Sequence, residues 1–226
     1  MSQLRRAAML ALALAIGSTG IAMPAAAATA PPHAISIAQA RTLPLGSVVT
    51  VSGTATTPSG WTESSSFDKG FGLQDLTAGI YVSVTADPHV NPRDRIRVTG
   101  ELQESYGLLI LVPGAPAGIT IHGRGLPVLP RWLATGAVNE RSEGSLVRVV
   151  ATVTQAPESD LPYGYKFLVD DGSGELTIFV STQPGIDLSR IVVGRAVVVT
   201  GFSGQFDTHY EIIPRVQSDV LVLPIL

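Results

Sequence analysis

The chain has 226 residues, of which 45% are hydrophobic and 15% charged, and its net charge is −3. Cysteine is absent, which excludes disulfides and thiolate metal sites. Only two lysines are present, Lys69 and Lys166, and the acidic balance excludes the broadly basic surface of a strong sequence-independent nucleic-acid binder.

In chain order, Arg5 and Arg6 supply a positive start and an apolar run follows from Ala7 to Gly17. That run is about a dozen residues, short of the roughly 20 needed to span a bilayer. Small residues then gather at Ala25, Ala26, Ala27 and Ala28, so residues 1–28 are expected to be a signal peptide cut near Ala28. The flanking pattern of a twin-arginine signal is incomplete, and ordinary export to the periplasm or the medium is the expectation. Removal of this segment takes the net charge from −3 to −5, because it holds two arginines and no acid. No transmembrane segment is expected in the mature chain.

The remainder repeats itself. Residues 46–55 (GSVVTVSGTA) parallel 144–153 (GSLVRVVATV), and 71–75 (FGLQD) parallel 167–171 (FLVDD). Residues 80–84 (IYVSV) then match 176–180 (LTIFV), 97–100 (RVTG) match 198–201 (VVTG), and 112–113 (VP) match 213–214 (IP). Five matches in one order, displaced by about 96–101 residues, indicate two domains rather than a solenoid. The expected boundaries are 34–123 for the first module, 124–131 for a linker stiffened by Pro127 and Pro130, and 132–224 for the second.

Each matched block reads as a strand. Val49, Val51 and Ala55 alternate with Thr50, Ser52 and Thr54, the period of a half-buried strand. Residues 75–79 and 171–174 supply Asp and Gly for hairpin turns. Helical periodicity is weak, with short candidates at Ile37 to Arg41 and Leu133 to Glu140. About five strands per module, with Gly53, Gly100 and Gly201 where a barrel turns, predict an all-β chain of two small closed barrels.

The pattern Gly46, Val49, Val51, Gly53, then Phe71, Leu73, Gln74, Asp75, Thr77, Gly79, Ile80, Val82, then Val98 and Gly100 resembles the OB-fold modules of exported bacterial proteins. Such modules also sit beside the catalytic domains of bacterial extracellular nucleases. The second copy is looser: Ala151 replaces the first-strand glycine, Asp170 stands in place of Gln, and Glu175 replaces the turn glycine. The resemblance implies two five-stranded Greek-key barrels in tandem. It also implies a ligand surface on the outer face of strands two and three, framed by loops one-two and four-five.

Candidate chemistry is sparse. His33, His89, His122 and His209 have no metal-ligand spacing, and Asp170 and Asp171 suit a hairpin turn better than a calcium loop. Ser64, Ser65 and Ser66 lack a nucleophile elbow. The reading is therefore a non-enzyme that needs no cofactor. Parity puts Tyr81 and Phe179 on the outer faces, where rings stack on bases or sugars, or else pack against the sister module. The one-two loops add Trp61 and Phe67 in the first copy and Tyr163 and Tyr165 in the second. Arg95, Arg97 and Arg148 point outward, as phosphate contacts or as solvated charges. Trp132 is read as a wedge between modules. The expected partner is single-stranded nucleic acid, with a secreted protein or an oligosaccharide as the alternative and a purely structural role as a third. Fold alone does not choose among them.

Overall fold

The computed structural model describes residues 33–62 and 68–224. The signal peptide read at residues 1–28 and the side chain of Phe67 lie outside the described residues. The rest belongs to one compact unit, Pro32–Leu226.

A single helical turn, α1 (Ile37–Ala40), opens the chain, capped by the Ser36 hydroxyl on the backbone N–H of Gln39. Six strands follow: β1 (Val48–Ala55), β2 (Phe71–Gln74), β3 (Gly79–Val82), β4 (Asp94–Ser105), β5 (Leu108–Val112) and β6 (Ile119–Arg124). Seven more complete the chain: β7 (Arg131–Trp132), β8 (Leu146–Asp160), β9 (Gly164–Asp170), β10 (Leu176–Ser181), β11 (Ala196–Phe206), β12 (His209–Ile213) and β13 (Val220–Val222). The second helical candidate shrinks to a 3-10 turn at Thr135–Ala137. The connection between β6 and β7 is residues 125–130, one residue shorter at each end than the expected linker. No described helix is long and apolar enough to cross a membrane.

The first sheet runs β1-β2-β3-β5-β4-β6, and β1 also pairs with β4, so five strands close into a barrel with β6 outside it. All pairs are antiparallel except β3 with β5. In the second sheet β8-β9-β10-β12-β11 follow the same neighbour order, β10 and β12 are parallel, and β11 pairs back on β8. Alternation fills the interiors as read from sequence. Val49, Val51, Leu73, Ile80, Val82 and Val98 pack around Phe71, and Val147, Val149, Val169, Ile178, Val180 and Val199 around Phe167. Phe71 and Phe167, matched in sequence, are both fully buried, each contributing about 1.5–3 kcal/mol.

The β2–β3 turn and its counterpart each clasp the segment that enters the ring. Asp75 accepts from the backbone N–H of Ile37, Thr77 and Ala78. Asp171 accepts from the N–H and hydroxyl of Thr135 and from Ser173. Both Asp turns are therefore hairpin connectors with a second task, fastening the chain upstream of the first strand of each ring.

A third apolar cluster joins the rings: Trp61, Tyr81, Ile110, Phe202 and Ile213. Trp61, Tyr81 and Phe202 meet pairwise at 5.7–5.9 Å between ring centroids, tilted or edge-on, the geometry that ring quadrupoles favour. Polar ties surround this seam. Gln74 Oε1 accepts from the N–H of Leu146 at 2.8 Å, Arg215 donates to the carbonyl of Thr56 at 2.7 Å, and Asp207 N–H donates to the carbonyl of Tyr106 at 2.7 Å. Arg41 reaches Glu140 at 2.7 Å and the buried Glu143 at 3.0 Å. Burial raises the pKa of Glu143 against the pull of Arg41.

Candidate functional site

Between the rings, beside the seam, the structure leaves a cleft of about 450 Å3. Its floor is the outer face of β9, β10 and β12, with Lys166, Thr177, Phe179, His209 and Glu211. The β8–β9 turn frames one side with Asp160 and Tyr163, and the β11–β12 hairpin frames the other with Gln205 and Phe206. This is the strand-two, strand-three surface between loops one-two and four-five that the resemblance implies, in the second ring. The first ring closes the cleft with Asp68, Tyr81 and the β4–β5 hairpin, whose tip carries Tyr106.

Tyr106 and Phe206 stack at 5.2 Å and 23° and remain 58% and 48% exposed, so their rings are open to a ligand. Tyr163 is exposed beside them and Phe179 half-buried. Lys166 and His209 are the basic groups among the lining residues and Asp68, Asp160 and Glu211 the acidic ones. Asp68 is engaged, accepting from the N–H of Gly70 and Val84 and from the hydroxyls of Tyr81 and Ser83. Burial, then the Asp68 carboxylate, raises the Tyr81 pKa well above its ordinary value. Glu211 is 8% exposed, and its carboxylate pairs with His209, whose Nε2 stands 3.7 Å from Oε2. The Glu211 carboxylate raises the His209 pKa above its ordinary value, outweighing partial burial.

The sequence-derived site residues divide into three places. Tyr163 and Phe179 meet in the cleft, where Tyr81 adds one edge. Tyr81 and Trp61 are not free stacking rings: at 7% and 4% exposure they are seam residues, because Phe202 and Ile213 of the second ring cover the face on which they stand. Tyr165 is exposed but falls one residue out of phase with Lys166 and outside the cleft lining.

Arg95 and Arg97 lie together on the outer face of β4, opposite Thr54 and Ser52 of β1. With His122 of β6, Ser52, Thr54 and Arg95 line a shallow polar groove of about 280 Å3 that shares no residue with the cleft. Arg148 stands elsewhere, donating to the Thr200 hydroxyl at 2.6 Å with its guanidinium 5.2 Å from the Trp132 ring. Trp132 is 62% exposed and touches Arg148 through β7–β8 pairing, so it is not the wedge between rings. Trp61 fills that role, since the one-two loop of the first copy folds onto the seam.

Sequence reasoning missed Tyr106, Phe206 and Glu211. The signal for the aromatics was an aromatic residue near the turn of each four-five hairpin. For Glu211, extending the match of 112–113 with 213–214 sets Ile110 opposite Glu211. Among the described residues no three His, Asp or Glu side chains are placed to share a metal ion.

No family model matches this chain. Over 162 residues, 67% of its length, it is 28% identical to endonuclease YhcR of Bacillus subtilis (strain 168), and the match spans 13% of that enzyme. Among solved structures it is similar to fission yeast Pot1 with ssDNA, at 11% identity and a TM-score of 0.40 over 85% of this chain and 88% of that one. A murine DNA-binding protein bound with ds DNA is similar at 10% identity and a TM-score of 0.39, over 78% and 97% of the two chains.

Proposed function

We propose that the chain is an exported, non-catalytic pair of OB-type barrels that binds single-stranded nucleic acid in the cleft of its second ring. One observation carries the reading: the same place in the two rings has opposite chemistry. In the first ring the parallel partners Tyr81 and Ile110 belong to the apolar seam cluster and reach only the edge of the cleft, and in the second the partners Thr177 and Glu211 are polar and form part of its floor. A face that only needed covering would keep the apolar pair.

The walls suit bases. Tyr106, Phe206, Tyr163 and Phe179 offer rings on which a base stacks at about 1–3 kcal/mol, without regard to sequence. Phosphates belong near Lys166, since the carboxylates of Asp68, Asp160 and Glu211 repel them elsewhere in the cleft. The similarity to an endonuclease over part of that enzyme's length supports an accessory role beside nucleic-acid chemistry.

The experiment is a fluorescence-anisotropy titration of a labelled mixed-sequence 12-mer at low and moderate salt. Binding that weakens with salt at a shallow slope, as few phosphate contacts require, and that falls about tenfold in Phe206→Ala supports the reading. A folded protein that binds no oligonucleotide at low salt overturns it, and binding of a neutral oligosaccharide instead assigns the cleft to sugars.

A further inference from the structure

We infer that the first ring carries a second nucleic-acid contact: the polar groove on the outer face of β1, β4 and β6 grips the phosphodiester backbone and reads no base. This rests on the reading of the chain as a nucleic-acid binder, though not on the cleft.

Charge separates the two places. The cleft holds three carboxylates, Asp68, Asp160 and Glu211, whereas no acid lines the groove. Neither β1 nor β6 contains an acid, and Asp94 of β4 is buried. The first acid on the outer face of β4 is Glu101, four residues beyond Arg97. Arg95 is exposed and takes part in none of the ion pairs among the described residues. Beside it stand the exposed His122 and the hydroxyl-bearing Ser52 and Thr54. In a chain of net charge −3 the groove is a local excess of positive charge and donors.

The duplication shows that the barrel does not need these arginines. Arg95 lies opposite Thr54 and Arg97 opposite Ser52 in the first ring. At the matched places of the second ring, Ala196 lies opposite Thr152 and Val198 opposite Val150. That ring closes with two uncharged residues where the first has two cations, so the pair on β4 serves something outside the barrel.

Spacing selects the ligand. Arg95 and Arg97 sit two residues apart on one strand, about 7 Å, close to the step between successive phosphates of a nucleic-acid strand. A guanidinium meets a phosphate through two parallel N–H donors, and serine and threonine hydroxyls donate to the same oxygens. No aromatic ring lines the groove, so nothing there stacks on a base. Cations in step with a repeating anion, without a base platform, take the backbone of any sequence.

The probe is a labelled 12-mer of abasic deoxyribose phosphate, which offers phosphodiesters but no base to stack in the cleft, titrated against the full chain at several salt concentrations. It is expected to bind at low salt and to shift the NMR signals of Ser52, Thr54, Arg95 and His122, a map that needs no variant. In the double variant Arg95→Gln, Arg97→Gln its affinity at low salt should fall about tenfold, and the slope of log K against log salt should become shallower by about 1.4, from two contacts at about 0.7 each. Three results overturn the backbone groove and leave the cleft standing: a base-free strand that does not bind where a base-bearing 12-mer does, shifts confined to cleft residues such as Lys166, or inorganic phosphate that fills the groove as tightly as the strand. An affinity and slope unchanged in the folded double variant do the same. Failure of both kinds of strand to bind overturns the groove and the cleft together.

Discussion

Gly79 and Gly144 lie back to back across the seam, each occupying the space a Cβ on the other would need. A methyl on Gly79 would collide with the carbonyl of Gly144, and one on Gly144 with the backbone of Gly79. Gly144 also has φ +78°, a left-handed conformation that side chains disfavour. The two rings are therefore in main-chain contact, with Gln74 and Glu143 hydrogen-bonding across the seam on either side.

Gly144→Ala is expected to lower stability by about 2 kcal/mol or more, since collision and backbone strain act together. Gly79→Ala meets the tighter of the two collisions without the backbone strain and should also destabilise. Urea denaturation measures both, and an unchanged midpoint in Gly144→Ala would contradict the close approach.

Phe202 lies on the outside of its own ring, yet it is only 1% exposed because Trp61 and Tyr81 cover it. Phe202→Ala should cost about 3–5 kcal/mol, the range of an interior aromatic rather than a surface one. Thermal unfolding checks this, and a cost below about 1 kcal/mol would mean that the seam adds nothing to the fold.

The Asp clasps make stability acid-sensitive. The Asp75 carboxyl is desolvated, which raises its pKa, but its hydrogen bonds to Thr77, Ile37 and Ala78 prevail and hold it low. Asp171 is held well below the ordinary value, first by the Ser173 hydroxyl and then by Thr135. Both folded values lie under the unfolded value of about 3.9, so the stabilisation is complete above that pH and is lost as pH falls through the folded values. Asp75→Ala should cost about 1 kcal/mol at pH 7, as a lost cap does, and the deficit should shrink in acid. Urea midpoints at pH 7 and pH 3 give the comparison.

His209 should titrate above the ordinary value of about 6.5, because the carboxylate of Glu211 beside it favours the charged imidazole. A group raised in the folded state stabilises the fold below its unfolded value and loses that contribution as pH rises through the folded one. NMR titration of the ring protons reads the shift directly. In Glu211→Gln the pKa should fall back, and a His209 that titrates unchanged there would remove the pairing.

What sequence conveyed and what it withheld follow from one rule. Alternation marks which side chains leave the barrel interior, so Val49, Ile80, Phe167 and Ile178 could be placed inside before any coordinates. The same alternation says nothing about what lies beyond the outer face. Tyr81 and Phe179 both read as outward, and both are, but one meets Phe202 and the other borders open space. Gln74 and Asp170 occupy matched places, and their difference reads as looseness of the second copy. In the structure Gln74 crosses the seam to Leu146, whereas Asp170 accepts from Gly172 and Gly174 within its own turn. Contacts between rings are set by loop lengths and by the path of residues 125–130, which leave no periodic trace. That is why Trp132 was assigned the place that Trp61 holds.

The chain has two tryptophans, and the fold gives them opposite surroundings. Trp61 is sealed among rings at 4% exposure and Trp132 stands in solvent at 62%. Their emission should therefore come as a blue component that acrylamide does not reach and a red one that it quenches. Separation of the rings would turn the first into the second. The protein thus carries an intrinsic optical gauge of its own seam, legible without a label and without a ligand.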